Sequence, residues 1–365
     1  MNRYIFQGIR RDTALMVSGL SKHQYYYRLK GGKRGRLPSI TTIKIEENCI
    51  THVPNQDVVS QIKTIQSDPD TDYGYHKMIF ALRILGYCIN HKKVNRLMRE
   101  NHLLKDRHQK ASKTYVAHRK VMPQGPLEVL EMDIKFVWVE EYRRHAYIFT
   151  VIDTFTRVTL YWQTAYQFKQ GQVKRAWENI IENHLQPYDC LKKQIHIEIR
   201  NDNDSRFAAK TVQQFFVENK LNQVFTHPYT PQENGHIESF HSILSIMLKR
   251  HTFWSIDQLD SCLEHFYPKY NYKRLHSSTC YLPPMIFWNC WQKEFVDLKI
   301  NEKRKTIKFK LKIPYHKLSG IMSQREVPCL HNSTLDGLKD ASIEMNGAVS
   351  LLQPSVYQSP SVVPC

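Results

Sequence analysis

The chain has 365 residues, 41% of them hydrophobic and 12% aromatic, enough apolar material for a folded protein of two or three domains. Its formal net charge of +18 favours a polyanionic partner, and no stretch approaches the roughly 20 apolar residues of a membrane span. None of its eight cysteines forms a Cys-x-x-Cys pair, so the sequence suggests neither a zinc knuckle nor a disulfide framework; a reducing, cytoplasmic setting is expected.

The charge is segregated. Residues 1–120 hold 23 Lys and Arg against 9 Asp and Glu, a net of +14. Residues 121–290 hold 18 of each, and residues 291–365 hold 11 against 7. A neutral centre between basic ends predicts a chemical core with arms that grip a polyanion.

Residues 1–70 read as a basic helical N-terminal region. Gly19 is placed to close one helix and Ser21 to cap the next. The basic, Gly-rich run from Lys30 to Arg36 reads as a linker, and Val58, Ile62 and Ile65 mark a short amphipathic piece. Residues 71–120 read as a helix-turn-helix. Tyr73-Gly74-Tyr75 precedes a helix with Ile79, Leu82 and Leu85 at helical spacing. Gly86 ends it, and Asn90 caps a second helix with Val94, Leu97 and Met98 as its buried stripe. Lys92, Lys93, Arg96 and Arg99 lie off that stripe and are the expected DNA-binding face. A helical hairpin with a solvated face has the same pattern; the position inside the basic segment favours DNA.

Residues 121–290 read as an α/β core. Strands are expected at 131–139, 147–152 and 158–164, close enough in sequence for an antiparallel meander. A helix at 170–185 follows, with Val173, Trp177, Ile180 and Ile181 on one face. Next come a strand at 195–199, a helix at 211–218, a short strand at 224–225, a long helix at 232–250 and another at 256–267. Three antiparallel strands and then alternating helices and strands match a ribonuclease-H-like mixed sheet. Residues 291–318 read as a basic β tail, because residues 308–313 alternate lysine with apolar side chains. Residues 319–365 lack periodicity, and 346–365, rich in Ser, Pro, Val and Gln, are expected to be disordered.

Three acids stand out against this frame. Asp133 interrupts an apolar strand, Asp202 lies just beyond the fourth strand, and Glu238 sits near the start of the long helix, with 35 residues between Asp202 and Glu238. Two strand-borne aspartates and a helix glutamate make an oxygen-only set suited to hard divalent cations, and phosphoryl transfer uses two such ions about 4 Å apart. Each acid also has an ordinary alternative: a solvent-facing strand acid, an Asx-turn and a helix-dipole partner.

These motifs resemble the catalytic, second-reading-frame (OrfB-type) product of the insertion sequence three family of transposases, relatives of retroviral integrases. The similarity runs over about residues 15–290. It is carried by Glu131-Met132-Asp133-Ile134, residues 151–157, Asn201-Asp202-Asn203, Asn234 with Ile237-Glu238-Ser239-Phe240, residues 270–284 and the helix-turn-helix at 73–100. The resemblance implies Mg²⁺ or Mn²⁺, two ions held by Asp133, Asp202 and Glu238, and donor-end cleavage followed by strand transfer into target DNA. It implies a homo-oligomer assembled on DNA, an upstream-frame partner protein, and a bacterial, nucleoid-associated location. Asn234, Arg274 and His276 are the further DNA contacts expected.

The chain departs from the family pattern at Asp204, where glycine is usual, and at Ser245, where a basic residue is usual. Asp204 is expected to tolerate a left-handed backbone there. These departures sustain an alternative reading, an inactive remnant that only binds DNA; a nuclease limited to hydrolysis is the other rival.

Overall fold

The structure is a computed structural model that describes residues 2–26, 38–46, 49–106, 120–227, 230–303 and 305–318. The expected linker at 30–36 and the expected disordered tail lie outside these residues. The chain divides into two compact units, 1–107 and 108–365, and each is described by itself.

The first unit begins with three short helices, α1 (Asn2–Phe6), α2 (Arg11–Val17) and α3 (Lys22–Tyr26). Gly19 takes the left-handed φ of +66° after α2. Ser21 caps α3 reciprocally: its hydroxyl accepts from the Gln24 amide at 3.2 Å, and Gln24 Oε1 accepts from the Ser21 amide at 2.9 Å. A hairpin follows, β1 (Thr41–Glu46) and β2 (Cys49–Pro54), and then α4 (Asn55–Ser67), which buries Val58, Val59 and Ile62.

The two expected helices are α5 (Tyr75–Ile84) and α6 (His91–Glu100), with the short strand β3 (Tyr87–Cys88) between them. Asn90 accepts from the Lys93 amide at 2.9 Å, and α6 buries Val94, Leu97 and Met98. Leu85 is 42% exposed, unlike its sequence expectation, because α5 ends at Ile84 and Met78 joins Ile79 and Leu82 in the buried face. Gly86 is required twice over. Its φ is +90°, and a Cβ there would lie 2.2 Å from the Ile45 carbonyl oxygen, across the β1–β3 pairing. The hairpin and β3 are not among the expected elements: only the four residues Ile43-Lys44-Ile45-Glu46 alternate, and β3 has two residues.

The second unit is built on a five-stranded mixed sheet. Strands β4 (Val129–Val139), β5 (Arg144–Asp153) and β6 (Thr159–Ala165) form the antiparallel meander. Helix α7 (Gln170–Ile180) continues as a π-helical turn to Leu185 and leads to β7 (Ile197–Asn201), parallel to β4. Helix α8 (Lys210–Glu218) then leads to β8 (Leu221–Phe225), parallel to β7. The strand order β6-β5-β4-β7-β8, three antiparallel and two parallel, is that of a ribonuclease-H-like fold.

Alternation along the central strand β4 feeds two cores. Leu130, Met132 and Ile134 pack with Val173, Trp177 and Phe216 of α7 and α8 on one face. On the other, Val139 joins Ile148 and Ile152 against α9 (Gly235–Leu248) and α10 (Ile256–Tyr272). A 3₁₀ turn at Pro231–Asn234 precedes α9, which shortens the helix expected at 232–250. Helix α10 runs past its expected end to Tyr272. The Tyr267 ring stacks on Trp162 at 4.8 Å, and its hydroxyl shares a 2.6 Å hydrogen bond with Thr150.

Helix α11 (Pro284–Gln292) and a hairpin, β9 (Val296–Asn301) and β10 (Thr306–Leu311), complete the unit. Phe309 of β10 lies against Phe155 and Phe287, with ring centroids 5.0 and 4.8 Å away, while Lys308 and Lys310 point to solvent. Among the described residues no helix is long and apolar enough to cross a membrane.

Candidate active site

Asp133 lies on the face of β4 opposite Met132 and Ile134, with Glu131 and Lys135, and this face meets α9. The parallel β4–β7 ladder pairs Glu131 with Arg200. Asp202 follows the last residue of β7, just past the end of this ladder, while Asp133 lies two residues further along β4. Their charges interact: desolvation and then the Asp133 charge raise the Asp202 carboxyl above its ordinary value. Asp133 itself is half-buried; Oδ1 accepts from the Ile134 amide at 2.7 Å, and Oδ2 lies 3.2 Å from His241 Nδ1 on α9. Glu238 is exposed on the first turn of α9, three residues before His241. The structure thus brings Asp133 and Asp202 together and sets α9 across β4. Among the described residues, no three His, Cys, Asp or Glu side chains close into a metal-holding cluster.

The start of α9 is held from β4. Glu131 is fully buried, and its Oε2 accepts from the His236 amide at 2.9 Å and the Ile237 amide at 2.7 Å. These are orphan donors of the helix's first turn; the N-cap residue, Asn234, makes no side-chain cap. Desolvation pushes the Glu131 carboxyl up to about 7, opposed by these two bonds and by the charges of Arg157 and Arg200. His236 is driven the other way, to about 2, first by burial and then by Arg157, His276 and Arg200. Arg157 is itself at a left-handed φ of +68° and donates from Nε to Ser278 at 3.2 Å. The sequence signal for Glu131 is a charged residue at an inward position of an apolar strand, and nothing near it in sequence shows the helix amides that it meets.

The two departures from the family pattern have local explanations. Asp204 does not use the left-handed region that an aspartate tolerates. Its side chain is engaged with Arg206 instead: Oδ1 accepts from the Arg206 amide at 2.8 Å and from Nε at 2.7 Å, and Oδ2 accepts from Nη2. Arg206 accordingly holds the Asp204 carboxyl below the usual range. Its guanidinium also lies over the rings of Tyr147 and Phe136, at 5.1 and 5.9 Å. Ser245 donates from its hydroxyl to the His241 carbonyl at 2.6 Å, a bond back along its own helix.

The expected DNA contacts fall into groups. Lys92 and Arg99 are exposed on α6. Lys93 and Arg96 reach back to the start of the hairpin: Lys93 Nζ donates to the Thr41 carbonyl, and Arg96 Nη2 donates to the Ser39 carbonyl at 3.2 Å. Desolvation, then the charge of Arg96, lowers the Lys93 ammonium. Asn234 is only 5% exposed, enclosed at the start of α9, so its side chain is not presented to DNA in this conformation. Arg274 is half-buried, its charge felt by Tyr270, and His276 Nδ1 is hydrogen-bonded to the Ser278 hydroxyl at 2.9 Å.

Comparison with known proteins places this geometry in context. The Integrase core domain family matches residues 123–231, and a second Integrase core domain family matches residues 219–284. An HTH-like domain matches residues 54–111. The 39.2 kDa protein of insertion element IS476 from Xanthomonas euvesicatoria is 26% identical over 59% of this chain. The match spans 60% of that relative's length. InsK of Escherichia coli, named as a transposase for insertion sequence element IS150, is 25% identical over 64% of this chain and 83% of its own. Among solved structures, the catalytic core domain of BIV integrase matches 46% of this chain and 99% of that chain at 16% identity, with a TM-score of 0.34. In an HTH-like domain match followed by Integrase core domain matches, the chain is similar to proteins of insertion sequences.

Proposed function

We propose that the chain is a DDE-type polynucleotidyl transferase that cleaves donor DNA ends and joins them to target DNA, with Asp133, Asp202 and Glu238 as its catalytic carboxylates. The observation that carries this reading is the pair Asp133 and Asp202: one acid on β4 and one just past the end of the neighbouring strand β7, close enough for the charge of one to raise the other's pKa. Such a pair calls for a cation. An all-oxygen donor set fits Mg²⁺ or Mn²⁺ and not zinc. Asp133 and Asp202 would hold the ions, two in number, and Glu238 would complete the set from α9. Bound there, the ions supply activation of the attacking oxygen and neutralisation of the leaving 3′ oxygen.

The chain's own side chains do the rest. His241 steadies one oxygen of Asp133. Asp204 is committed to Arg206, which favours Asp202 as the ligand of that loop. On α6, Lys92 and Arg99, with Lys93 and Arg96 behind them, would bind duplex DNA through phosphates. Arg274 and His276 would contact the donor strand. Assembly as a homo-oligomer on DNA, a first-frame partner and a bacterial, nucleoid-associated setting belong to the same reading.

Purified protein incubated with labelled donor ends, target DNA and Mg²⁺ tests it. Metal-dependent cleavage and joining is the expected result. Cleavage without joining would mean a hydrolytic nuclease. Specific DNA binding without either reaction would mean an inactive remnant.

A further inference from the structure

We propose that Glu131 is a positioning residue that hangs the first turn of α9 on strand β4 and so sets the distance between Glu238 on the helix and Asp133 on the strand. This rests on the reading of those two acids as partners in one site.

Glu131 and Asp133 are successive residues on the α9 face of β4, roughly 6.7 Å apart by strand rise. Each holds the helix at a different place. Glu131 Oε2 takes the amides of His236 and Ile237, and Asp133 Oδ2 meets His241 one turn later. Glu238 lies between these two attachments, immediately after Ile237. A shift at the first attachment therefore carries Glu238 along the strand, toward or away from Asp133.

The form of the cap argues for placement rather than for stability alone. An ordinary cap is a short side chain at the N-cap position, next to solvent. Here it comes from a strand more than a hundred residues earlier and is completely buried. Burying a carboxylate is costly unless it is paired. Only one of its oxygens is used; Oε1 has no hydrogen-bond donor among the described residues. The charges of Arg157 and of Arg200, its neighbour in the ladder, offset only part of that cost. A helix needing only its amides satisfied requires none of this. A helix that must sit at one height over a catalytic strand requires a rigid tether from that strand.

Reach, not charge, is the property that matters, and this separates the variants. Full-length wild type, Glu131→Gln, Glu131→Asp and Glu131→Ala are compared by hydrogen exchange of the α9 first-turn amides and by the Mg²⁺ concentration for half-maximal donor-end joining. Glu131→Gln keeps an acceptor of the same length, so most of the protection returns and the Mg²⁺ requirement stays within about 3-fold. Glu131→Asp keeps the charge but falls short by a methylene, so it behaves like Glu131→Ala. In both, the His236 and Ile237 amides exchange at least 10-fold faster and half-maximal Mg²⁺ rises at least 10-fold, with donor-end affinity unchanged. If Glu131→Ala does not fold, the contrast of Asp with Gln decides. Wild-type amide protection or wild-type Mg²⁺ dependence in Glu131→Asp overturns the proposal. A wild type that never joins ends refutes the reading of the site instead, and amide exchange still decides whether Glu131 tethers the helix.

Discussion

Asp133 Oδ2 on the central strand and His241 Nδ1 on α9 lie 3.2 Å apart, with the imidazole nearly buried. Asp133 Oδ1 accepts from its neighbour's amide, that of Ile134. His241 therefore restrains the carboxylate's rotation. The expected consequence is that His241→Ala raises half-maximal Mg²⁺ for end joining several-fold. His241→Asn, which keeps a donor on a shorter side chain, recovers part of the loss. A metal titration of all three proteins checks this; an unshifted curve for His241→Ala means the contact has no part in holding the site.

Ser245 leaves α9 without the usual cation two turns after Glu238, but the structure points to another source. Lys135, two residues beyond Asp133 on the same face of β4, is half-buried and feels the charges of both Asp133 and Lys249. Lys249 is exposed at the C-cap of α9. Lys135→Ala is expected to weaken donor-end binding and reduce the salt slope by about one phosphate contact. Lys249→Ala should cost little, and Ser245→Lys should tighten binding. Donor-end affinity against salt separates them: an unchanged slope for Lys135→Ala would remove it from the DNA path.

The four basic residues of α6 should divide by what they touch. Lys92→Ala and Arg99→Ala are expected to weaken duplex binding in a salt-dependent way with no change in thermal stability. Lys93→Ala removes a hydrogen bond to the Thr41 carbonyl and is expected to destabilise the first unit, by about 1 kcal/mol. DNA titrations paired with thermal melts check the division. A stable Lys93→Ala together with a destabilised Lys92→Ala would reverse it.

His184, in the π-helical turn after α7, is only 6% exposed. Its Nε2 lies 3.1 Å from the Leu160 carbonyl, which fixes the neutral ring's proton on that nitrogen. Burial lowers its pKa from 6.5 to about 4, against the smaller upward pull of that bond. The unfolded chain therefore binds more protons than the folded one between these values. Stability from this group is complete above pH 6.5 and is lost as the pH falls toward 4. The full effect is on the order of 3 kcal/mol. His184→Gln should flatten this part of the curve of thermal midpoint against pH; an unchanged slope would contradict the assignment.

The second unit's sheet was legible because its strands alternate or run apolar over long stretches. Its expected order, with helices at 170–185 and 211–218, matches α7 and α8 closely. Asn90 and Gly86 marked the turn of the helix-turn-helix because cap and left-handed chemistry are local. What escaped was tertiary. The β1–β2 hairpin pairs with β3 and has only a four-residue alternation, Ile43-Lys44-Ile45-Glu46, as a local signature. Helix α10 passes through Pro268, where a sequence reading stops, because Asn271 binds Thr159 and holds the last turn in place. Asp133 and Asp202 stood out because acids at strand positions are conspicuous. Glu131 is an equally conspicuous strand acid, but its role is hidden in the sequence because its partners lie 105 and 106 residues away. Lys93 and Arg96 looked as free as Lys92 because nothing nearby in sequence shows the carbonyls they meet.

The central claim is that Asp133, Asp202 and Glu238 act together on DNA. Donor-end cleavage and strand transfer by the wild type, Asp133→Asn, Asp202→Asn, Asp204→Asn and Glu238→Gln in Mg²⁺ tests it most directly. The account predicts that the Asp133, Asp202 and Glu238 variants each lose both reactions by at least 1,000-fold while folding and binding DNA as the wild type does, since each removes an anionic ligand from an ion that demands near-octahedral geometry. Asp204→Asn, whose partner is Arg206, should retain most of the activity. Near-normal Mg²⁺-dependent joining by Glu238→Gln, or loss in Asp204→Asn with retention in Asp202→Asn, would contradict it.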